Sequence, residues 1–526
     1  MDRDGVLRGV MEEPWQPSKM PAWLAQRAVT DAEVEALRHN GSSLTYRELY
    51  RLAAQIASEL RNQGVTATSR VAILVRNGRL FALVVHSLMQ MGILMVPLNW
   101  RLTISEMSWQ VQDSEVDFLI YDEESKAEVE GISTETQVRV HSVEQLFDPD
   151  KDAQTDAQTD PQADAQTGMG DDLLIDLQHP LAVIYTSGTT GYPKGTVLTY
   201  GNFWWSAIAS ALQSGLQKHD KWLVPMPLFH VGGLSVLMRS VIYGTTAVIQ
   251  DRFDAEQVNR TLDEQEITLL SVVPTMLARM LEERQGRAYP GRLRLVLLGG
   301  SSAPRALLEE CARLGLPVAQ SYGLTEACSQ VATLAPKDGL RKLGSSGMAL
   351  FPTQVRILDG ENGPDANEIG EIAVRGPTVS SGYLNRPEDN AARFRNGWFL
   401  TGDIGYLDEE GYLFVIDRRN DLIVSGGENV YPAEVEAVLL RQVGILEAGV
   451  VGTEHSLWGQ VPVAVIRLSE GTSISDAELE EHCRHYLAGY KVPKEFLRID
   501  SPLPRNASGK LLRRDLRVRV SELWNK

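Results

Sequence analysis

The segment YTSGTTGYPKG, residues 185–195, constrains this chain more than any other. It follows Leu181, Ala182, Val183 and Ile184, an aliphatic run that reads as a buried strand. The polar, glycine-rich residues after it are therefore expected to form the loop at that strand's carboxyl end. Loops in that position on an α/β sheet are where ligands usually bind. Thr186, Ser187, Thr189 and Thr190 supply four hydroxyls, Gly188 and Gly191 leave backbone N–H groups unshielded, and Lys194 adds a cation at the exit. That set of groups suits a polyphosphate. It is not a Walker A loop, because Pro193 stands where that motif requires glycine before the lysine. A surface turn also uses Gly, Thr and Pro, so the reading depends on whether the rest of a nucleotide site follows.

At 526 residues the chain exceeds one ordinary core, and two or more domains are expected. Its net charge of −18 argues against a nucleic-acid or anionic-membrane surface, so any nucleotide site must be locally basic. Cys311, Cys328 and Cys483 are far apart and form no CxxC pair, which argues against a disulfide framework or a zinc site and fits a reducing cytoplasm. The N-terminus is polar and acidic, without an apolar signal core. The most apolar window, residues 81–98, is interrupted by His86, Ser87, Gln90, Gly92 and Pro97. It reads as a buried helix and a strand rather than a membrane span.

Thr45 and Glu48 make a capping box, after which Leu49, Leu52, Ala53, Ile56 and Leu60 repeat on one helical face up to Gly64. Strand patterns at 71–75 and 93–96 flank the next helical stretch, an order that implies layered α/β structure. Residues 151–170 hold DAQT three times and read as a low-complexity linker. Beyond the glycine-rich loop, Trp205, Ile208, Ala209 and Leu212 mark an amphipathic helix with Asn202 near its cap. Further strands are expected at 269–273, 293–298 and 317–320. From about residue 344 to 419, short strands at 354–358, 371–375 and 412–416 suggest a small β-barrel-like subdomain. The fold expected is α/β: a large N-terminal domain, 1–419, of layered α/β subdomains with that barrel, then a small α+β domain, 420–526.

Four further motifs follow in order: LLGGSSAP at 297–304, QSYGLTEA at 320–327, TGDIG at 401–405 with Arg418 after it, and PRNASGKLLR at 504–513. Alone, each has a bland reading: a strand-to-helix turn, a core tyrosine, a turn-capping Asp, a solvated lysine. Together with T-S-G-T-T-G-x-P-K-G they resemble the acyl-adenylate-forming superfamily of acyl-CoA synthetases, adenylation domains and beetle luciferases, over nearly the whole chain. The resemblance implies ATP, Mg²⁺ and coenzyme A as small-molecule partners of a carboxylic acid. It assigns Thr186, Ser187, Gly188, Thr189, Thr190, Lys194 and Thr325 to phosphate and Glu326 to Mg²⁺. Gly299, Gly300, Ser301 and Gly323 fall to the adenine walls, with Tyr322 stacked on the base and Ser321 also assigned to the nucleotide. Asp403 and Arg418 are assigned to ribose, and Lys510 to the reacting carboxylate and α-phosphate. A single hard carboxylate with phosphate oxygens and waters is a normal magnesium site. Asn420 would be the hinge of a mobile C-terminal domain, whose residues 425–434 would line a pantetheine tunnel in a second pose. Asn420 departs from the usual Asp or Lys there, and Tyr192 and Thr196 differ from common choices in the loop.

The stretches PLFHVGGLSVLMRSVIYG, CARLGLPVAQSYGLTEACSQVATLAP and LPRNASGKLLR resemble most the o-succinylbenzoate–CoA ligases of menaquinone biosynthesis. That substrate is an aromatic dicarboxylate. His230 is then expected to gate the acyl pocket, and Arg239 to hold the spare carboxylate directly or through water. Thr275, Ser302, Ser329 and Gln330, with Ser301, are candidate polar liners. Medium-chain or aryl acyl-CoA synthetases, a free-standing adenylation domain and a nucleotide-binding regulator remain alternatives, and self-association is left open.

Overall fold

The computed structural model describes residues 18–146, 174–186, 193–300, 303, 305–358, 367–417, 422–504, 511 and 513–524. The DAQT tract, Ser187, Gly188, Thr189, Thr190, Ser301, Ser302, Arg418, Asn420 and Lys510 lie outside the described residues.

Helix Tyr46–Asn62 begins at the expected capping box, with Thr45 and Glu48 each bonding the other's backbone N–H. Its apolar stripe, Leu49, Leu52, Ala53, Ile56 and Leu60, is fully buried. A cap of this kind contributes about 1 kcal/mol, so the buried stripe supplies most of the helix's hold. Residues 81–98 form the helix Arg79–Gln90 and the strand Leu94–Pro97, both covered by the same core. No helix among the described residues is long and apolar enough to cross a membrane. For the helix Tyr200–Ser214 the cap is Thr199, and Asn202 is its reciprocal partner three residues on. Both side chains have the right chemistry, and only the backbone decides which one leads. The three cysteines are free and buried.

Two large sheets carry the N-terminal half. One has six strands, with Lys194–Thr199 returning antiparallel on Pro180–Thr186 at its edge and parallel pairing from there to Arg139–Ser142. The other has nine, with a parallel centre that includes Lys221–Val224, Leu269–Val272, Leu295–Leu298 and Val318–Leu324. Helices cover these strands, and the principal core lies between the two sheets. Parallel central strands are buried on both faces, which is why they read as unbroken apolar runs. Strands between Gln354 and Asp417 make a five-stranded antiparallel sheet at the position expected for the barrel. A further five-stranded sheet is built wholly from residues 423–498 around its own core of Ile423, Val435, Val450, Ile466 and Leu479.

Candidate active site

A cavity of about 340 Å³ opens where the two large sheets, the antiparallel sheet and the C-terminal sheet meet. Several of its walls are the residues just past parallel strands: Val273 after Leu269–Val272, Gly299 and Gly300 after Leu295–Leu298, and Met226 and Pro227 beyond Lys221–Val224. Two glycines are required there by geometry. A Cβ on Gly323 would stand 1.7 Å from the Ser329 carbonyl oxygen, and Gly300 holds φ +88° with its missing Cβ against Val273.

On the phosphate side, Thr186 and Lys194 line the cavity from facing positions of an antiparallel pair. Lys194 is 7 % exposed, with Nζ 2.5 Å from Asp389 Oδ1 and above the ring of Tyr383. Glu326 is similarly buried and accepts a hydrogen bond from the Tyr383 hydroxyl at 2.6 Å. Tyr383 thus fixes the carboxylate assigned to magnesium while its ring face meets the lysine assigned to phosphate. Among the described residues no cluster of three carboxylate, His or Cys ligands exists. A lone, oriented Glu326 fits a magnesium ion that takes its other ligands from phosphate and water. Thr325, Ser321, Thr401 and Asp403 complete this wall.

Tyr322 takes a different place from the one expected. It is 2 % exposed, packs with Val331, Ile372 and Leu413, does not line the cavity, and donates its hydroxyl to Asp403 Oδ2 at 2.7 Å. Strand alternation explains this, because Ser321 and Gly323 face the cavity from either side of it. Tyr322 instead orients Asp403, whose backbone N–H is held by Thr401 Oγ1.

In the acyl region His230, Ser329 and Gln330 line the cavity, whereas Arg239 and Thr275 do not. Arg239 is 1 % exposed within the core, where helix Val231–Tyr243 carries it away from the mouth. It donates to Ser206 Oγ at 3.3 Å and lies over the Trp222 ring, and its Nε has no partner among the described residues. Burial disfavours its charged form. Ser206 in turn donates to the carbonyl of Cys328, next to Ser329, so Arg239 backs the acyl wall rather than facing the cavity. Thr275 lies beside Gly459 of the C-terminal sheet.

That sheet closes the remaining side. Gly426, Gly427, Glu428, Asn429 and Tyr431 line the cavity. Glu428 is paired with Arg101 and sits 3.2 Å from His230 Nε2. Burial pushes the Glu428 carboxyl up, but His230 and Arg101 outweigh it and hold it below the usual carboxylate range. The expected gate residue is therefore tied to the C-terminal half. Sequence reasoning missed Tyr383, Asp389, Arg101 and Lys491, whose signals are the short segments SGYLNRPED, NWRL and YKVP.

A model described as "AMP-binding enzyme" matches residues 24–384, and one described as "AMP-binding enzyme C-terminal domain" matches 434–510. The chain belongs to the AMP-binding enzyme family. It is 46% identical, over 95% of its length and 97% of the relative's, to a 2-succinylbenzoate–CoA ligase of Geobacillus kaustophilus (strain HTA426). Among solved structures it resembles o-succinylbenzoate CoA synthetase from Bacillus subtilis. A double mutant of that enzyme bound to the product analogue OSB-NCoA gives a TM-score of 0.87 at 42% identity, covering 95% of this chain and 99% of that one. The complex with ATP and magnesium gives 0.71 at the same identity, covering 95% and 100%. With sequence similarity equal, the gap in score reflects arrangement rather than divergence. This AMP-binding family member is thus posed like the product-analogue complex.

Proposed function

We propose that the chain is an ATP-dependent acid–CoA ligase that converts o-succinylbenzoate to o-succinylbenzoyl-CoA, with AMP and pyrophosphate as the other products. The observation that carries this is 46% identity across nearly the whole of both chains to a 2-succinylbenzoate–CoA ligase. The cavity supports it independently, with one wall of Thr186, Lys194, Thr325 and Glu326 and another of His230, Ser329 and Gln330.

In the first half-reaction a substrate carboxylate oxygen attacks the α-phosphorus of ATP, and the bond to pyrophosphate breaks. Thr186 and Lys194 bind phosphate oxygens, with Lys194 leaving Asp389 for the more highly charged ligand. Glu326, held by Tyr383, would bind a magnesium ion, which supplies charge neutralisation on the phosphates. Asp403, held by Tyr322, takes the ribose hydroxyls, and Lys510 stabilises charge at the reacting centre. In the second half-reaction the CoA thiol attacks the acyl carbon and AMP leaves. For that step the C-terminal half turns about Asn420 into a pose whose residues 425–434 border the thiol's path.

Gln330 borders the acyl side of the cavity. It is 3 % exposed, its amide N–H bonds Thr333 Oγ1, and its Oε1 has no partner among the described residues. A buried orphan acceptor beside a cavity is costly until a donor such as a water molecule meets it. A panel of acids assayed with ATP and CoA tests the substrate. The expectation is that kcat/KM for o-succinylbenzoate exceeds that for benzoate and for medium-chain fatty acids by about a hundredfold or more, as expected when a site built for a polar group meets analogues lacking it. Equal or better turnover of a monocarboxylic acid would overturn it.

A further inference from the structure

At the cavity wall, the two halves meet at an ionic cluster that the proposed chemistry leaves unused. Lys491 is 3 % exposed, and its Nζ lies 2.7 Å from Glu434 Oε1 and 2.7 Å from Glu106 Oε1. Lys491 and Glu434 both belong to the C-terminal half, so this pair travels together when the half moves. Glu106 belongs to the N-terminal half, on helix Ile104–Asp113. Of these two Lys491 bonds, the one to Glu106 crosses between the halves. Its carboxylate is fixed in advance, because Oε2 accepts from the Thr103 N–H and hydroxyl in that helix's capping box. Oε1 is thereby aimed across the interface.

Burial alone would pull the Lys491 ammonium down, but the two carboxylates and Tyr490 outweigh it and keep it charged. Buried charges tolerate little misplacement. A pose wrong by one side-chain length would strand an ammonium or a carboxylate away from both partner and water, a strongly disfavoured arrangement. Such a cluster adds little net stability and much positional specificity.

We propose that Glu106 is a positioning residue for thioester formation: by capturing Lys491 it sets the single docked pose in which the C-terminal half completes the CoA side of the site. This rests on the two-step ligase reading. Adenylation, which uses another pose, does not need the bond.

The test uses the full-length Glu106→Gln and Lys491→Met variants. Gln is also a capping-box residue, so the first change removes the charge while retaining the cap. Adenylation is read as acid-dependent ATP–pyrophosphate exchange, and transfer as single-turnover reaction of purified acyl-adenylate with CoA. Transfer is expected to slow about tenfold or more in both variants with exchange within about twofold of wild type, and the double variant to be no slower than Lys491→Met, since both act through one bond. Retained exchange also shows that the variants fold. Equal loss in both half-reactions, or no loss in either, overturns the proposal. A second readout is independent of catalysis: a distance distribution between spin labels on the two halves, with AMP and CoA present. It should be narrow in wild type and broad in Glu106→Gln, and an unchanged narrow distribution counts against the lock. If wild type activates some other acid but not o-succinylbenzoate, only the substrate reading fails, and the same measurements with that acid still decide the lock.

Discussion

Tyr383 shows how much of the site rests on side chains outside the ordered motifs. Its hydroxyl holds Glu326 at 2.6 Å and its ring lies beneath Lys194, so removing one oxygen frees the carboxylate proposed for magnesium without opening a hole. Tyr383→Phe should lower the adenylation rate about tenfold and raise the magnesium concentration needed for half-maximal rate, as loss of a ligand's supporting bond commonly does. Magnesium titration of pyrophosphate exchange reads this directly, and an unchanged curve would show that Glu326 needs no support. His86 offers a test of stability. It is fully buried in helix Arg79–Gln90, Nδ1 has no partner among the described residues, and burial pushes its pKa down to about 4. The unfolded chain takes up that proton near pH 6.5 and the folded chain only near 4. The stability contributed by neutral His86 is therefore full above about pH 6.5 and falls as the pH drops toward 4, by up to about 3 kcal/mol. Melting curves between pH 7.5 and 5 should show His86→Gln losing less stability on acidification than wild type. Parallel losses would place the titrating group elsewhere.

At the level of elements, the outcome follows from which signals are local. Thr45 and Glu48 announce a helix because both ends of the capping box lie within four residues, and the buried strands announce themselves by unbroken aliphatic runs. The walls at Gly299, Gly300, Ser321 and Gly323 were legible because a ligand-binding turn after a strand needs small residues. What the sequence hides is the direction a side chain takes once its strand is paired. Tyr322 points away from the cavity and Arg239 is carried into the core, although their neighbours Gly323 and His230 line the site. Gly323→Ala tests the tightness of that pairing. A methyl 1.7 Å from the Ser329 carbonyl forces strands Val318–Leu324 and Ser329–Leu334 apart. Overpacking at this level should cost about 2 kcal/mol or more in denaturant unfolding and should also slow adenylation. A variant as stable as wild type would mean that the pair yields more freely than its geometry implies.

The molecule as a whole works by what its two halves do to one cavity. Tyr383, Asp389, Arg101 and Lys491 escaped sequence reading because each acts across distance in the chain: Glu326 lies 57 residues from Tyr383, and Glu106 lies 385 from Lys491. No window of sequence contains such pairs. The ordered motifs gave the chemistry, and the fold supplied the contacts that hold the C-terminal half against His230 and Glu106. The central claim is that a carboxylate captures AMP before the thiol arrives, and it is tested most directly by supplying o-succinylbenzoate with heavy oxygen in its carboxylates, together with ATP, Mg²⁺ and CoA, and weighing the products. One heavy oxygen should appear in the phosphate of AMP, with one retained in the thioester carbonyl and two in the unreacted carboxylate. Label in inorganic phosphate with ADP as co-product, or unlabelled AMP alongside thioester, would contradict the account.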